Sequence, residues 1–227
     1  MHIEPGVVDG AKIVLSYATA LGALGLAAKM AMDTIKKDGG LPSLAIRSVI
    51  TTVLVFSFFE ILPHYPVGVS EVHFILGSTL FLIFGAGPAA IGLMAGLLLQ
   101  GVLLAPFDLP QYGMNITTLI LPLFAMSLIA RKIIPANIAY KDVTYKQALA
   151  LSTTYQGGIV VWVAFWAFYG NGFGAENLVQ IGSFGAAYMA VILLEPIADL
   201  AVLAGAKSLY KFRDSGLFHN RLHQAGV

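Results

Sequence analysis

The stretch Leu80-Phe81-Leu82-Ile83-Phe84-Gly85-Ala86-Gly87-Pro88-Ala89-Ala90 decides how many helices the chain forms. It lies within an apolar region, residues 71–105, which is either one kinked helix or two separate ones. Gly85 and Gly87 permit a tight reversal of the backbone, and Pro88 fits the first turn of a new helix because its missing N–H is not needed there. The two interpretations give six and seven helices for the whole chain.

The composition is typical of a membrane protein. Of the 227 residues, 58% are hydrophobic and 11% are charged, whereas a soluble domain carries about 25% charged residues. There is no cysteine, which excludes disulfides and thiolate metal sites. The formal net charge of +1 gives no sign of nucleic-acid binding. No secretory signal peptide is expected, because Glu4 and Asp9 stand where such a peptide is basic.

Seven apolar stretches are separated by polar or glycine-containing segments. A helix needs about 20 residues to cross roughly 30 Å of hydrocarbon, and most of the stretches reach that length. They run at about residues 11–32, 41–62, 71–85, 88–105, 114–134, 148–169 and 178–206.

The distribution of basic residues decides between six and seven helices. With seven helices and the N-terminus outside, Lys12 is the only basic residue near the outer face. With six helices, the basic clusters at 131–146 and 207–221 both move outside, against the excess of Lys and Arg found in cytoplasmic loops. We therefore predict an all-α polytopic membrane bundle of about seven transmembrane helices, with the N-terminus outside and the C-terminus inside.

The first two residues, Met1 and His2, offer a chelate. The Met1 amine, the His2 amide nitrogen and the His2 imidazole close two fused rings when they bind one metal ion. One further imidazole completes a flat set of four nitrogens, which suits Ni(II), Cu(II) or low-spin Co(II). Chance also produces Met-His starts, so the interpretation depends on what the topology brings to the same face.

The predicted topology brings two more histidines to the outer face. His64 and His73 flank the loop after the second span, and either is a candidate for the fourth nitrogen. A lone loop histidine is seldom a ligand, but imidazoles that meet an N-terminal chelate favour a metal site. His219 and His223 fall instead in the cytoplasmic tail predicted for residues 207–227, where a solvated helix is expected.

Several polar residues are candidates to support the chelate. Pro5 and Gly6 are expected to turn the chain so that residues 1–4 fold back into the bundle. Glu4 is a candidate hydrogen-bond partner for a ligating imidazole. Gln100 and Asn115 are candidates to orient the N-terminal segment, although buried amides also bond helices to one another in membranes.

With these motifs, the chain resembles the membrane-embedded substrate-binding subunit of nickel/cobalt energy-coupling-factor (ECF) transporters, of the CbiM/NikM type. That family opens Met-His-Ile with glycine at the sixth position, and the likeness extends over about residues 1–130. The matching segments are Met1-His2-Ile3-Glu4-Pro5-Gly6, the histidine segment 67–77, Gly87-Pro88, Leu98-Leu99-Gln100-Gly101 and Gly113-Met114-Asn115.

The resemblance implies that the metal ion is held by the Met1 amine, the His2 amide and imidazole, and His73. The chain departs from the family pattern just before its glycine, where Pro5 stands in place of the usual acidic residue. Glu71 and Val72, which precede the loop histidine, differ too. These departures leave His64 as an alternative ligand and leave nickel and cobalt undecided.

The resemblance also implies a division of labour between subunits. Residues 1–206 form a single transmembrane domain whose segment 1–6 chelates the transported Ni(II) or Co(II), with no permanently bound cofactor. The chain has no Walker sequence, so ATP hydrolysis is expected on two cytoplasmic ATPase subunits. A coupling transmembrane (T) subunit and a small accessory membrane subunit complete the expected assembly, in the lipid bilayer of a prokaryotic inner or plasma membrane.

Two further features have competing interpretations. Ala23, Ala27 and Ala31 form a stripe of small residues on the first span, which serves either helix packing inside the subunit or docking of the T subunit. Glu195 and Asp199 lie four residues apart in the last span. Ionisable residues at membrane depth indicate function by default, and they carry the alternative hypothesis of a proton-coupled carrier or an intramembrane enzyme.

Overall fold

The computed structural model describes residues 2–208 and 214–224, except for the side chain of Lys207. Within these residues lie seven α-helices and one two-stranded antiparallel hairpin. In chain order they are α1 (Val14–Lys37), α2 (Gly40–Ile61), β1 (Tyr65–Val67), β2 (Ser70–Val72), α3 (Gly77–Phe84), α4 (Ala86–Leu103), α5 (Tyr112–Ile133), α6 (Tyr145–Asn171) and α7 (Ala175–Ser208). The all-α polytopic membrane fold predicted from the sequence is confirmed, since six of the helices are long and apolar enough to cross a membrane.

The break predicted before Pro88 separates α3 from α4. Gly85 lies between them with φ at +89°, a conformation that glycine adopts without strain. A Cβ on Gly85 would lie 2.6 Å from the His219 ring, so the close packing at this point also requires glycine. Pro88 falls in the first turn of α4, as expected.

The third helix is much shorter than the apolar stretch 71–85 suggested. Part of that stretch forms β2 and an irregular connection, and α3 has eight residues, which gives a length of about 12 Å. All eight residues of α3 are buried. Irregular backbone is tolerated at membrane depth when protein surrounds it, which explains how a short helix fits among six long ones.

The segment from β2 through α3 runs from one end of the bundle to the other. Ser70 of β2 pairs with Ile3 at the end that we call the hairpin end. The carbonyl of Phe84, the last residue of α3, accepts a 2.9 Å hydrogen bond from Arg47 near the start of α2. We call that opposite end the Arg47 end. Over the described residues, the chain thus passes between the two ends seven times, with α3 and the residues before it as the third passage.

A buried ion pair joins three helices at the Arg47 end. The Arg47 guanidinium has no exposed surface and donates to the Asp38 carboxylate at 2.7 Å and to the Ser43 hydroxyl at 2.7 Å, in addition to Phe84. Asp38 directly follows α1. Arg47 therefore connects the end of α1, the first turns of α2 and the end of α3.

Residues 214–224 pack against the Arg47 end, and we call them the C-terminal strap. The His219 N–H donates to the Ile83 carbonyl at 2.8 Å, and the Asn220 N–H donates to Asp38 Oδ1 at 3.1 Å. The last carbonyls of α3 have no hydrogen-bond donor within the helix itself. Asp38 has a second carboxylate oxygen besides the one that Arg47 bonds. The strap supplies a donor to each.

The expectation of a solvated helix for His219 and His223 is therefore wrong. His219 stacks on Tyr140 with ring centroids 5.3 Å apart, and burial lowers the pKa of His219 to about 4. His223 is buried and bonds the Ala206 carbonyl at 2.9 Å. Arg221 lies over the Tyr140 ring, 4.9 Å from its centroid. These contacts were not visible in a short polar sequence without helical periodicity.

The small-residue stripe of α1 faces the inside of the bundle. Ala23 and Ala27 are buried within the subunit, whereas Ala31 is partly exposed. Ala31 approaches α4 so closely that a Cβ on Gly87 would lie 3.0 Å from its Cα. The stripe thus supports packing between α1 and α4, and the lipid-facing side of α1 is formed by larger residues such as Leu21 and Leu24.

The Arg47 ion pair predicts a large stability difference between two acidic residues. Asp38→Ala leaves the buried Arg47 charge without its carboxylate, which should cost about 3–5 kcal/mol. Asp33→Ala removes the exposed pair between Asp33 and Lys29 and should cost about 0–1 kcal/mol. Thermal unfolding in detergent should show a fall of about 10 °C in Tm for Asp38→Ala and almost none for Asp33→Ala. Equal Tm values for the two variants would contradict this account of the Arg47 end.

Candidate metal centre

Residues 2–4, which we call the N-terminal strand, pair with β2 of the two-stranded hairpin through one isolated β-bridge, between Ile3 and Ser70. The Val7 N–H donates to the Glu4 carbonyl at 3.1 Å, and Gly6 has φ at +90°, which together describe a turn with Pro5 and Gly6 at its centre. The chain then folds back beside β2, with Glu71 N–H bonded to the His2 carbonyl at 2.9 Å. The turn predicted at Pro5-Gly6 is confirmed, and it places His2 next to the residues that precede His73.

Two side chains hold this strand against the bundle. Asn115, in the first turn of α5, accepts a 3.0 Å hydrogen bond from the Ile3 N–H. The Ser70 hydroxyl donates to the His2 carbonyl at 2.7 Å. The N–H groups of Ile3 and Glu4 are therefore both bonded, whereas no described residue accepts a hydrogen bond from the His2 N–H. The amide nitrogen that the chelate needs has no competing partner among those residues.

His2, Glu71 and His73 converge on one point. Glu71 Oε2 lies 2.9 Å from His2 Nδ1 and 2.8 Å from His73 Nε2. One ligand atom from each of the three residues lies within 4.8 Å of the other two. The pleat of β2 explains part of this arrangement, because residues two apart on an extended chain face the same side. The N-terminal strand supplies the third member from a distant part of the sequence.

The charges of the three side chains suit a cation. Burial lowers the pKa of both His2 and His73 below the ordinary value, so both imidazoles are neutral at pH 7. Burial alone would raise the pKa of Glu71, but hydrogen bonds from His2 and His73 outweigh it and hold that pKa well below its usual range. Each neutral imidazole keeps one lone pair, on the ring nitrogen that does not donate to Glu71, and a shift of the proton to that nitrogen frees the lone pair facing the cluster. Two neutral imidazoles and one carboxylate therefore offer nitrogen donors and a negative charge, as metal binding requires.

The geometry of the three side chains fits a transition-metal ion as transported substrate. Metal–imidazole bonds are about 2.0–2.1 Å long, so two nitrogens on one metal ion lie no more than about 4 Å apart. A contraction of less than about 1 Å would achieve this, because the three ligand atoms already lie within 4.8 Å. His73 Nδ1 is buried without a hydrogen-bond partner among the described residues, so the second nitrogen of His73 is also available.

His64 and Phe59 form a wall beside the cluster. The His64 ring stacks on His73 with centroids 4.9 Å apart and planes at 10°, and its Nδ1 lies 3.2 Å from the Leu62 carbonyl. Phe59 meets the edges of both His2 and His73. Stacking directs the face of the His64 ring, not a nitrogen lone pair, toward His73, and the geometry therefore favours His73 over His64 at the centre.

The remaining candidates occupy different places around the cluster. Gln100 is buried beside the His2 imidazole, and its Oε1 has no hydrogen-bond partner among the described residues. Burial and the charge of Glu71 raise the pKa of Glu4, but the carboxylate that bonds the imidazoles is that of Glu71. The role expected of Glu4 thus belongs to Glu71. Met1, whose amine is part of the predicted chelate, lies outside the described residues.

Two acidic residues of this site were missed by sequence reasoning. Glu71 was noted only as a departure from the family pattern, although its alternation with His73 was a usable signal. Asp108 lies in the 3-10 turn Pro106–Gln111 and is buried. It lines a cavity of about 10 Å³ with His2 and Asn115, which holds about one water molecule. The sequence signal that could have identified Asp108 was a single acidic residue in a largely apolar loop.

Comparison with known protein families identifies the chain's relatives. The family described as the cobalt uptake substrate-specific transmembrane region, CbiM, matches residues 2–212. The chain belongs to the CbiM family. As a CbiM protein it is a multi-pass membrane protein and a component of a transition-metal transporter for cobalt or nickel.

Two solved structures share the CbiM fold seen here. One, a truncated transition metal transporter, superposes with a TM-score of 0.66 at 18% identity and covers 93% of this chain and 98% of its own. The other, a transition metal transporter, has a TM-score of 0.61 at 20% identity and covers 98% of this chain and 96% of its own. A comparison with curated proteins found no match. The likeness of the two structures supports the helical architecture described above.

The lowered pKa of His73 predicts a change in how stability depends on pH. Below pH 6.5 the unfolded chain binds a proton at this residue that the folded protein does not, so stability is lost as the pH falls. Replacing His73 with Gln should reduce the loss between pH 7 and pH 5 by about 2 kcal/mol. Thermal unfolding of metal-free protein at both pH values measures the difference, and the other titrating groups are common to both proteins. Identical pH dependence of the two would show that His73 is not buried as a neutral imidazole.

Proposed function

We propose that this CbiM protein is the substrate-capture subunit of an ATP-driven ECF importer for Ni(II) or Co(II). The metal ion is bound by the Met1 amine, the His2 amide and imidazole, and His73. The observation that carries the proposal is the convergence of His2, Glu71 and His73 at the hairpin end, where the N-terminal strand is held in place by hydrogen bonds.

The charge balance of the site favours a divalent ion. When the His2 amide binds a metal ion it loses its proton and contributes one negative charge, and Glu71 contributes another. With a divalent ion the sum is zero, which reduces the cost of placing charges in a buried site. Because an amide nitrogen imposes a flat arrangement, Ni(II), Cu(II) and low-spin Co(II) are favoured over Zn(II), which prefers tetrahedral ligands.

The two ends of the bundle differ in charge, and this supports an orientation. Lys12 lies toward the hairpin end, where its ammonium donates to the carbonyl of Gly170, which packs against Val7. Arg47, Arg131 and Arg221 lie toward the opposite end, where Arg131 and Arg221 line one cavity. By the positive-inside rule, the metal centre faces the outside of a prokaryotic inner or plasma membrane and the strap faces the cytoplasm.

Transport requires partners that hydrolyse ATP. The chain carries no Walker sequence, so we assign ATP hydrolysis to two cytoplasmic ATPase subunits. A coupling T subunit would link them to this protein, with a small accessory membrane subunit as a further member. Because Ala23 and Ala27 are buried, docking on α1 would involve its exposed apolar side.

The proposed chelate predicts which changes abolish metal binding. Extra residues before Met1 remove the free amine, and His2→Ala or His73→Ala removes an imidazole, so each should weaken Ni(II) binding at least about 100-fold. His64→Ala serves as the matched control and should change the affinity only a few-fold. Calorimetric titration of purified protein with Ni(II), and then with Co(II), measures all four. Tight binding by the extended protein would contradict the chelate while leaving the family assignment intact.

Glu71 is expected to act as a charge partner of the centre. Glu71→Gln keeps the shape of the side chain but removes its charge, which should weaken Ni(II) binding about 10- to 100-fold. Glu60→Gln is the control, because Glu60 lies near the C-terminal end of α2 and is not one of the three clustered residues. An unchanged affinity in Glu71→Gln would mean that the carboxylate does not interact with the bound ion.

A further inference from the structure

Two carboxylates in α7 have no part in the proposed chelate. Glu195 and Asp199 both have no exposed surface, and they lie four residues apart, which places them on the same side of the helix. Charged groups in the interior of a membrane protein are costly and require partners. The partners of these two identify what the carboxylates do.

Both carboxylates bond the beginning of α3. Glu195 Oε1 accepts a 3.0 Å hydrogen bond from the Leu76 N–H. Asp199 Oδ1 accepts a hydrogen bond from the Thr79 hydroxyl. Leu76 is the residue just before α3, and Thr79 is in its first turn. The two acids of α7 thus bond the first turn of α3 across the interface between the helices.

The first turn of α3 needs such partners from outside. The first N–H groups of any helix lack acceptors within the helix, and α3 begins inside the bundle, where water is not at hand. The chain just before α3 provides no side-chain cap. Leu76 itself has φ at +53°, a strained conformation for leucine that the Glu195 bond helps to hold.

This interaction bears on the metal centre because His73 lies three residues before Leu76. On one side of His73, β2 is held by the N-terminal strand. On the other side, Glu195 holds the Leu76 N–H. The position of the His73 ring is therefore set from both sides, once by the hairpin and once by α7.

We propose that Glu195 and Asp199 are positioning residues that hold the start of α3 and thereby aim His73 at the transported metal ion. The proposal rests on the proposed function of the His2 and His73 site. It assigns to the two acids a structural contact in place of proton transfer, and it accounts for their burial against the start of α3.

The test separates the effect of the hydrogen-bond acceptor at position 195 from the effect of its charge. Glu195→Gln keeps an oxygen that accepts from the Leu76 N–H, whereas Glu195→Ala removes it. We expect Glu195→Gln to keep the Ni(II) affinity within about threefold of wild type, and Glu195→Ala to weaken it about 10- to 100-fold. The visible absorption spectrum of the Cu(II) form reports the ligands directly. In Glu195→Ala it should shift to longer wavelength, toward the spectrum of His73→Ala, because a weaker ligand replaces the imidazole.

A control separates positioning from a general loss of stability. Leu203→Ala truncates a buried apolar side chain on the same helix and should lower Tm without shifting the Cu(II) spectrum. If Glu195→Ala does not fold, Thr79→Val removes the donor to Asp199 at nearly constant volume and should produce a smaller shift in the same direction.

Each outcome decides the matter. Wild-type affinity and spectrum in Glu195→Ala, or in Thr79→Val where that variant replaces it, would overturn the positioning role and leave the metal site intact. Loss of binding in Glu195→Gln would also overturn it, because the charge and not the hydrogen bond would then be essential. A wild-type protein that binds neither Ni(II) nor Cu(II) would remove the proposed function and this role together.

Discussion

Backbone N–H and C=O groups inside a membrane must find partners within the protein, because the hydrocarbon offers none. Six of the helices satisfy this requirement along their own length. The third passage does not, since it consists of a hairpin, an irregular connection and the short helix α3. Side chains of other helices bond its two ends. Glu195 accepts from Leu76 at the start of α3, and Arg47 donates to Phe84 at its end.

The irregular passage also carries two residues of the candidate metal centre, Glu71 and His73. A regular membrane helix uses its backbone N–H and C=O groups in its own hydrogen bonds. An edge strand of a hairpin, in contrast, leaves some of these groups free to pair with another segment. The N-terminal segment uses the free edge of β2, and this pairing brings His2 beside Glu71 and His73. The same departure from helical structure that requires Glu195 and Arg47 therefore creates the surface that carries the candidate metal centre.

The two ends of this passage have different surroundings. At the hairpin end, the partly exposed carboxylate of Glu71 lies between two buried, neutral imidazoles and gives the cluster a negative charge. At the Arg47 end, the C-terminal strap covers the last turn of α3, where the His219 N–H bonds the Ile83 carbonyl. Membership of the CbiM family identifies the protein as a component of a transition-metal transporter, which agrees with a candidate metal centre at the hairpin end.

Hydropathy, glycine and proline act locally, and together with the distribution of basic residues they predicted seven helices in a membrane and the approximate bounds of all of them except α3. The sequence also singled out His2 and His73 as candidates from an N-terminal motif and a loop position. Tertiary contacts alone show that Glu71 lies between the imidazoles, that His64 stacks beside His73, and that the strap is docked. These contacts join residues far apart in the chain, such as His2 with Glu71 and Glu195 with Leu76, and no local pattern specifies which distant partner satisfies a buried polar group.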